Sequence, residues 1–235
     1  IDEPQVDLRR TARRCLATYF PDASEEHLES LLDAEEVSVN AGAIIRRRGE
    51  EAAHVDLILT GRVQYIDAER QVSHSLSIGA FVGEQVVAGG TLPPGTWRAE
   101  SHVTLLRIPG VLLKSFLDTT GLGQRFGEMV ERIEFVRHSW LFGEQLTPDT
   151  LNHIALAMKP VHCPAEGIID TREVRDLFLV AEGSVVLENR QGIPVETLQP
   201  GDFFGEQNII ESGMESLIGR AASDSVLLRT SEFPL

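Results

Sequence analysis

Apolar and polar positions alternate along this chain in short bursts that glycine and proline interrupt. The stretch "HVDLILTGRVQYI" (54–66) holds two apolar runs that meet at Gly61, and "VSHSLSIGAFVGE" (72–84) alternates at period two. Further on, "DLFLVAEGSVVLEN" (176–189), the turn "NRQGIP" and "VETLQPGDFFGE" (195–206) repeat the same rhythm. Period two puts successive side chains on opposite faces of a strand. Many short strands with Gly/Pro turns and no helices between them predict a β-sandwich or jelly-roll barrel, not a parallel sheet. Gly61 and Gly183 are expected at tight turns or close backbone approaches.

Helical periodicity flanks these strands. "SEEHLESLLDAEEV" (24–37) predicts a helix with Ser24 as N-cap and Glu25 and Glu26 in its first turn. In "GLGQRFGEMVERIEFVRHSWLF" (121–142), Leu122, Phe126, Met129, Ile133, Val136 and Trp140 step by 4, 3, 4, 3, 4. That stripe predicts an amphipathic helix of five to six turns, packed on its own barrel or serving as a dimer seam. Thr147, followed by Pro148, predicts one more helix start.

The strands recur at a fixed offset of 122 positions. Gly61 maps onto Gly183, Leu76 onto Leu198, Phe81 onto Phe203, and "GAFVGEQ" (79–85) onto "GDFFGEQ" (201–207). The same offset carries Arg98-Ala99 onto Arg220-Ala221 and Leu105-Leu106-Arg107 onto Leu227-Leu228-Arg229. Chance does not hold one spacing over about fifty residues, so the chain is a tandem repeat. We expect a mainly β chain with flanking helices (α+β): two tandem jelly-roll barrels, at 1–142 and 143–235, joined by a long helix. After Arg229 the second copy has only "TSEFPL" and lacks its closing helices. With Ile1 in place of Met, this predicts that the natural protein continues.

Composition narrows the function. The net charge of −15 argues against nucleic acid, whose phosphates select Lys/Arg surfaces. Arg9, Arg10, Arg13 and Arg14 are a local exception; the plain reading is a helix flank pairing with Glu25, Glu26 and Glu29. No apolar run is long enough to span a bilayer as a helix. Cys15 and Cys163 form no motif and read as reduced thiols of a cytoplasmic chain. The seven histidines show no metal-ligand spacing, and no nucleophile elbow or P-loop is present, so neither a cofactor nor an enzyme is expected.

Each copy resembles the cyclic nucleotide-binding domain of protein kinase A regulatory subunits, gated channels and Crp-type regulators. The resemblance is carried by the strand pair around Gly61 or Gly183 and by G-x-F-x-G-E at a constant 23 residues from that glycine to the glutamate. It implies a loop turning into a short helix whose free N–H groups attract an anion. It also implies that Glu84 and Glu206 accept a ribose 2′-hydroxyl, while Gly83 and Gly205 let the backbone approach. Gln85 and Gln207 stand beside them as two-way hydrogen-bonding groups.

Nine residues after each glutamate the resemblance implies an arginine that clamps the cyclic phosphate. This chain has Pro93 and Glu215 there. Proline brings neither charge nor N–H, and a carboxylate repels phosphate. Arg98 and Arg220 lie five positions later on the following strand and are expected to face away. Trp97 and Trp140 are expected in the core or at an interface.

These residues imply a regulatory sensor that relays occupancy to an effector domain or partner protein. Cyclic AMP and cyclic GMP are expected to bind weakly or not at all, and a neutral nucleoside or other ribose-bearing molecule suits the site better. The alternative is a degenerate scaffold for dimerisation or protein interaction. A Crp-type transcription factor fits poorly, since a second barrel stands where its DNA-binding helices belong.

Overall fold

The computed structural model describes residues 7–51, 53–67, 72–84, 87, 95–139, 154–170, 176–205 and 217–230. Gln85, Pro93, Trp140, Thr147, Pro148, Glu206, Gln207 and Glu215 lie outside them. The chain divides into two compact units, Ile1–Glu131 with Thr147–Asn152 and Arg132–Leu146 with His153–Leu235.

The first unit opens with α1 (Leu8–Tyr19) and α2 (Glu25–Leu32). Asp7 and Ser24 cap them through side-chain oxygens that accept from Arg10 N and His27 N. The arginines of α1 behave as a helix flank: Arg9 pairs with Glu29 and Asp33, and Arg13 with Glu29. Helix α2 ends earlier than its sequence pattern suggests. Asp33 caps it, and from Glu35 the chain becomes strand, because every residue from Glu35 to Val39 finds a partner across an antiparallel ladder.

Among the described residues eight strands follow: β1 (Glu35–Val39), β2 (Ile44–Arg46), β3 (His54–Thr60), β4 (Val63–Asp67), β5 (Val72–Leu76), β6 (Phe81–Val82), β7 (Thr96–Ala99) and β8 (Val103–Pro109). They form two antiparallel four-stranded sheets, ordered β1-β8-β3-β6 and β2-β7-β4-β5. Ile58, Val63, Tyr65, Leu76, Trp97 and Leu105 form a core between the sheets. Trp97 is therefore a core residue, as expected.

Two helices then continue the chain, α3 (Gly110–Thr120) and α4 (Gly123–His138). Gly121, at φ 70°, supplies the left-handed turn that ends α3. The predicted stripe is buried at Phe126, Met129, Ile133 and Val136, while Leu122 precedes the helix. Phe126 packs against Phe20 and Phe81 of its own unit.

The second unit repeats the plan with β9 (Lys159–Cys163), β10 (Ile168–Ile169), β11 (Leu177–Glu182), β12 (Val185–Glu188), β13 (Pro194–Leu198), β14 (Phe203–Phe204), β15 (Ile218–Ala221) and β16 (Ser225–Thr230). Its sheets run β9-β16-β11-β14 and β10-β15-β12-β13, the first unit's order strand for strand. Even the register shift recurs, between Ile58 and Thr60 on β3 and between Val180 and Glu182 on β11. Phe178, Val180, Val185, Leu187, Phe204 and Leu227 line its core. The fold is mainly β, two tandem barrels of one design.

The repeated glycines have a steric cause. Gly61 and Gly183 sit at φ 82° and 79°. A Cβ at Gly61 would overlap His102 O, and one at Gly183 would lie 2.6 Å from Asp224 O. Only glycine combines that dihedral with that approach.

Candidate functional site

The first loop grows out of β6. Phe81 and Val82 pair with Leu57 and Asp56, and the chain then turns at Gly83, φ 84°. Glu84 follows, 7% exposed, and its carbonyl accepts from Val87 N at 3.0 Å, as at the opening of a short helical turn. The loop therefore presents a buried carboxylate beside a glycine. Gln85 and Pro93 lie outside the described residues.

What the sequence did not flag is the charge packed behind the loop. Arg46, on β2, is 2% exposed. Its guanidinium occupies the space a Cβ at Gly83 would need. Nη2 donates to His54 O at 2.7 Å and lies 3.7 Å from Asp56 Oδ2. Nη1 is buried and has no hydrogen-bond partner among the described residues. Asp56, fully buried in the apolar strand β3, accepts from Arg107 Nε at 2.8 Å and Nη2 at 3.4 Å. His54 Nε2 stands 3.5 Å from the same carboxylate.

Burial holds Arg46 below the ordinary arginine pKa, opposed by the negative charges of Asp56 and Glu84. Burial likewise pushes His54 below the ordinary histidine value, with Asp56 pulling the other way. The signals were present in the sequence: an acid inside "HVDLILT" and an arginine closing "AIIR". Neither becomes chemistry until β2, β3 and β6 are brought together.

The second loop keeps the glycine and changes the rest. Gly205, φ 99°, would place a Cβ against Asp176 O. Phe204 stacks on Phe178 at 5.1 Å, and Phe178 faces Phe204 across the ladder as Asp56 faces Val82. Ile169 lies across from Gly219 as Arg46 lies across from Trp97. Arg229 ion-pairs with buried Asp176, the position of His54 in the first copy. One design thus keeps a buried acid paired with an arginine in both copies, Asp56 with Arg107 and Asp176 with Arg229, and adds Arg46 in the first and the Phe178–Phe204 stack in the second. Glu206, Gln207 and Glu215 lie outside the described residues.

Arg98 is exposed, opposite Ile44 and Gln64, and Arg220 donates to Glu188 Oε1 at 3.0 Å. Neither cysteine is in a disulfide, and both are buried.

Comparison with known proteins agrees with this architecture. The sequence profile of the cyclic nucleotide-binding domain matches residues 36–120 and 165–232. Among solved structures, the cAMP-bound PfPKA-R (141-441) aligns over 98% of this chain and 83% of its own, at 15% identity and TM-score 0.56. The regulatory subunit of a cAMP-independent protein kinase A from Trypanosoma cruzi, bound to guanosine, aligns over 97% and 84%, at 15% identity and TM-score 0.51. Its Trypanosoma brucei counterpart aligns over 97% and 84%, at 17% identity and TM-score 0.50. No curated protein matches the chain by sequence. The doubled sheets, the repeated loop and the two profile matches agree: the chain belongs to the cyclic nucleotide-binding domain family and carries two copies of that domain in tandem.

Proposed function

We propose that the chain is a regulatory sensor module, not an enzyme, with two domains at 1–142 and 143–235 that relay ligand occupancy to an effector domain or partner protein. The ligand is ribose-bearing, and Gly83, Glu84, Gln85, Gly205, Glu206 and Gln207 are the residues that meet it. The observation that carries this reading is the buried Glu84 carboxylate held beside Gly83 on the loop. A buried acid accepts from a hydroxyl without the repulsion it would show an anion.

Cyclic AMP and cyclic GMP bind weakly or not at all, because Pro93 and Glu215 replace the clamp. A neutral nucleoside avoids that loss. The solved relative bound to guanosine is an independent precedent for such a ligand on this fold. A ligand that prefers one arrangement of the loop and following helix shifts the balance between two states, and that differential affinity is the signal.

A second reading, an unliganded scaffold for dimerisation or protein interaction, is favoured by Arg46 filling the space over Gly83. A thermal-shift panel with cyclic AMP, cyclic GMP, cyclic dinucleotides, adenosine and guanosine separates the two. A ligand at a hundredfold excess over its Kd adds about 2.7 kcal/mol to folded-state stability. Shifts with nucleosides support the sensor. A strong shift with cyclic AMP refutes the missing-clamp argument, and silence throughout favours the scaffold.

A further inference from the structure

We infer that Arg46 is the cation of the first site, delivered from β2 instead of from the loop, and that this site takes a ribose ligand bearing an open phosphate on the oxygen next to the one Glu84 holds. The inference rests on the reading of Glu84 as a hydroxyl acceptor and adds the ligand's charge.

The fold alone does not call for an arginine here. The same ladder position in the second copy holds Ile169, and an apolar side chain satisfies the barrel interior there. In the first copy that place holds a guanidinium that is 2% exposed. One nitrogen is used on His54 O, while Nη1 is buried without an acceptor among the described residues. A buried donor of this kind is costly unless something answers it.

Asp56 gives its closest bond to Arg107 at 2.8 Å and leaves Arg46 at 3.7 Å, while the charges of Asp56 and Glu84 both act on the guanidinium. An oxyanion on Nη1 would supply the acceptor that this nitrogen lacks among the described residues. A guanidinium fork matches phosphate geometry, and a charge-assisted bond of this type is among the stronger ones available.

Position selects the ligand. Arg46 lies against Gly83, one residue before Glu84. The two ribose hydroxyls are vicinal, so a ligand whose 2′-oxygen meets Glu84 turns its 3′-oxygen towards a neighbour of Glu84. A 3′,5′-cyclic phosphate is tied into a ring and carries one charge, whereas an open 3′-monophosphate rotates freely and carries a second. The first site therefore suits a ribonucleoside 3′-phosphate. The second copy, with Ile169 in place of the cation, suits a neutral ligand.

Isothermal titration of the chain with guanosine, guanosine 3′-monophosphate, guanosine 5′-monophosphate and inorganic phosphate tests this. The wild type should bind the 3′-monophosphate at least tenfold more tightly than guanosine. Arg46→Gln should abolish that advantage while changing guanosine affinity less than threefold, and Arg46→Lys should keep part of it. Arg46→Ile, copying the second barrel, serves where the glutamine variant fails to fold. An unchanged preference in Arg46→Gln or Arg46→Ile, or an equal preference for the 5′-monophosphate, overturns the inference. If no nucleoside ligand binds but inorganic phosphate binds the wild type and not the variants, the cation stands and the ribose reading falls. Guanosine binding with no phosphate effect leaves the ribose reading and refutes this inference.

Discussion

Replacing Asp56 with alanine should destabilise the first unit far more than a typical surface substitution. The carboxylate is fully buried and serves three neighbours: Arg107 at 2.8 Å, His54 at 3.5 Å and Arg46 at 3.7 Å. Without it, Arg107 can turn to water, being 28% exposed, but Arg46 at 2% cannot. Removing one partner of a buried ion pair costs about 3–5 kcal/mol. For a unit of this size each kcal/mol lowers Tm by roughly 3–5 °C, so a fall of about 10–20 °C is expected.

The second copy indicates how to avoid that loss. It carries Phe178 where the first has Asp56, Ile169 where it has Arg46, and Asp176 where it has His54. A variant with Asp56→Phe, Arg46→Ile and His54→Asp together should therefore recover most of the lost stability, since well-packed apolar groups often replace buried ion pairs without net cost. Urea denaturation followed by tryptophan fluorescence, with Trp97 in the first core, reads both variants. A loss below about 1 kcal/mol for Asp56→Ala would place it among ordinary surface substitutions and refute the argument that Arg46 depends on this carboxylate.

Other outcomes follow from the same geometry. Gly205→Ala should unfold the second unit earlier than Gly201→Ala: both glycines lie at φ 99°, but only a Cβ at Gly205 meets backbone, at Asp176 O. Equal melting temperatures for the two would contradict the steric account. Arg98→Ala and Arg220→Ala should change ligand affinity less than twofold, because Arg98 is exposed and Arg220 is held by Glu188; a larger loss in titration would return them to the site. Burial keeps the folded-state pKa of His54 below its unfolded value, so the unfolded chain takes up the proton first as pH falls below about 6.5. Stability should then drop on acidification through that window towards the folded pKa, and His54→Gln should flatten this part of the pH profile in denaturant titrations. Ile133→Asp should lower stability rather than release a dimer, since Ile133 is buried within the chain; intact melting with altered sedimentation would argue for an exposed seam.

Much of the architecture was legible in the residues. Period-two alternation, the offset of 122 and the glycines at 61, 183, 83 and 205 are local properties: a strand exposes its two faces in turn, and a left-handed dihedral selects glycine wherever it occurs. The helix stripe from Phe126 to Val136 could be read for the same reason, though its two possible burial partners could not be told apart. Chain order alone did not reveal the charged interior of the first barrel. Arg46, His54 and Asp56 lie in the first part of the copy, Glu84 follows β6, and Arg107 comes on β8. The ladders β3–β6 and β3–β8 gather His54, Asp56, Glu84 and Arg107 at one end, packing of the second sheet adds Arg46 from β2, and only burial decides that Arg46 faces inward while Arg98 faces water. Alternation assigns a residue to one of two faces; closure of the sheets determines which face loses its solvent and therefore which charges must find partners.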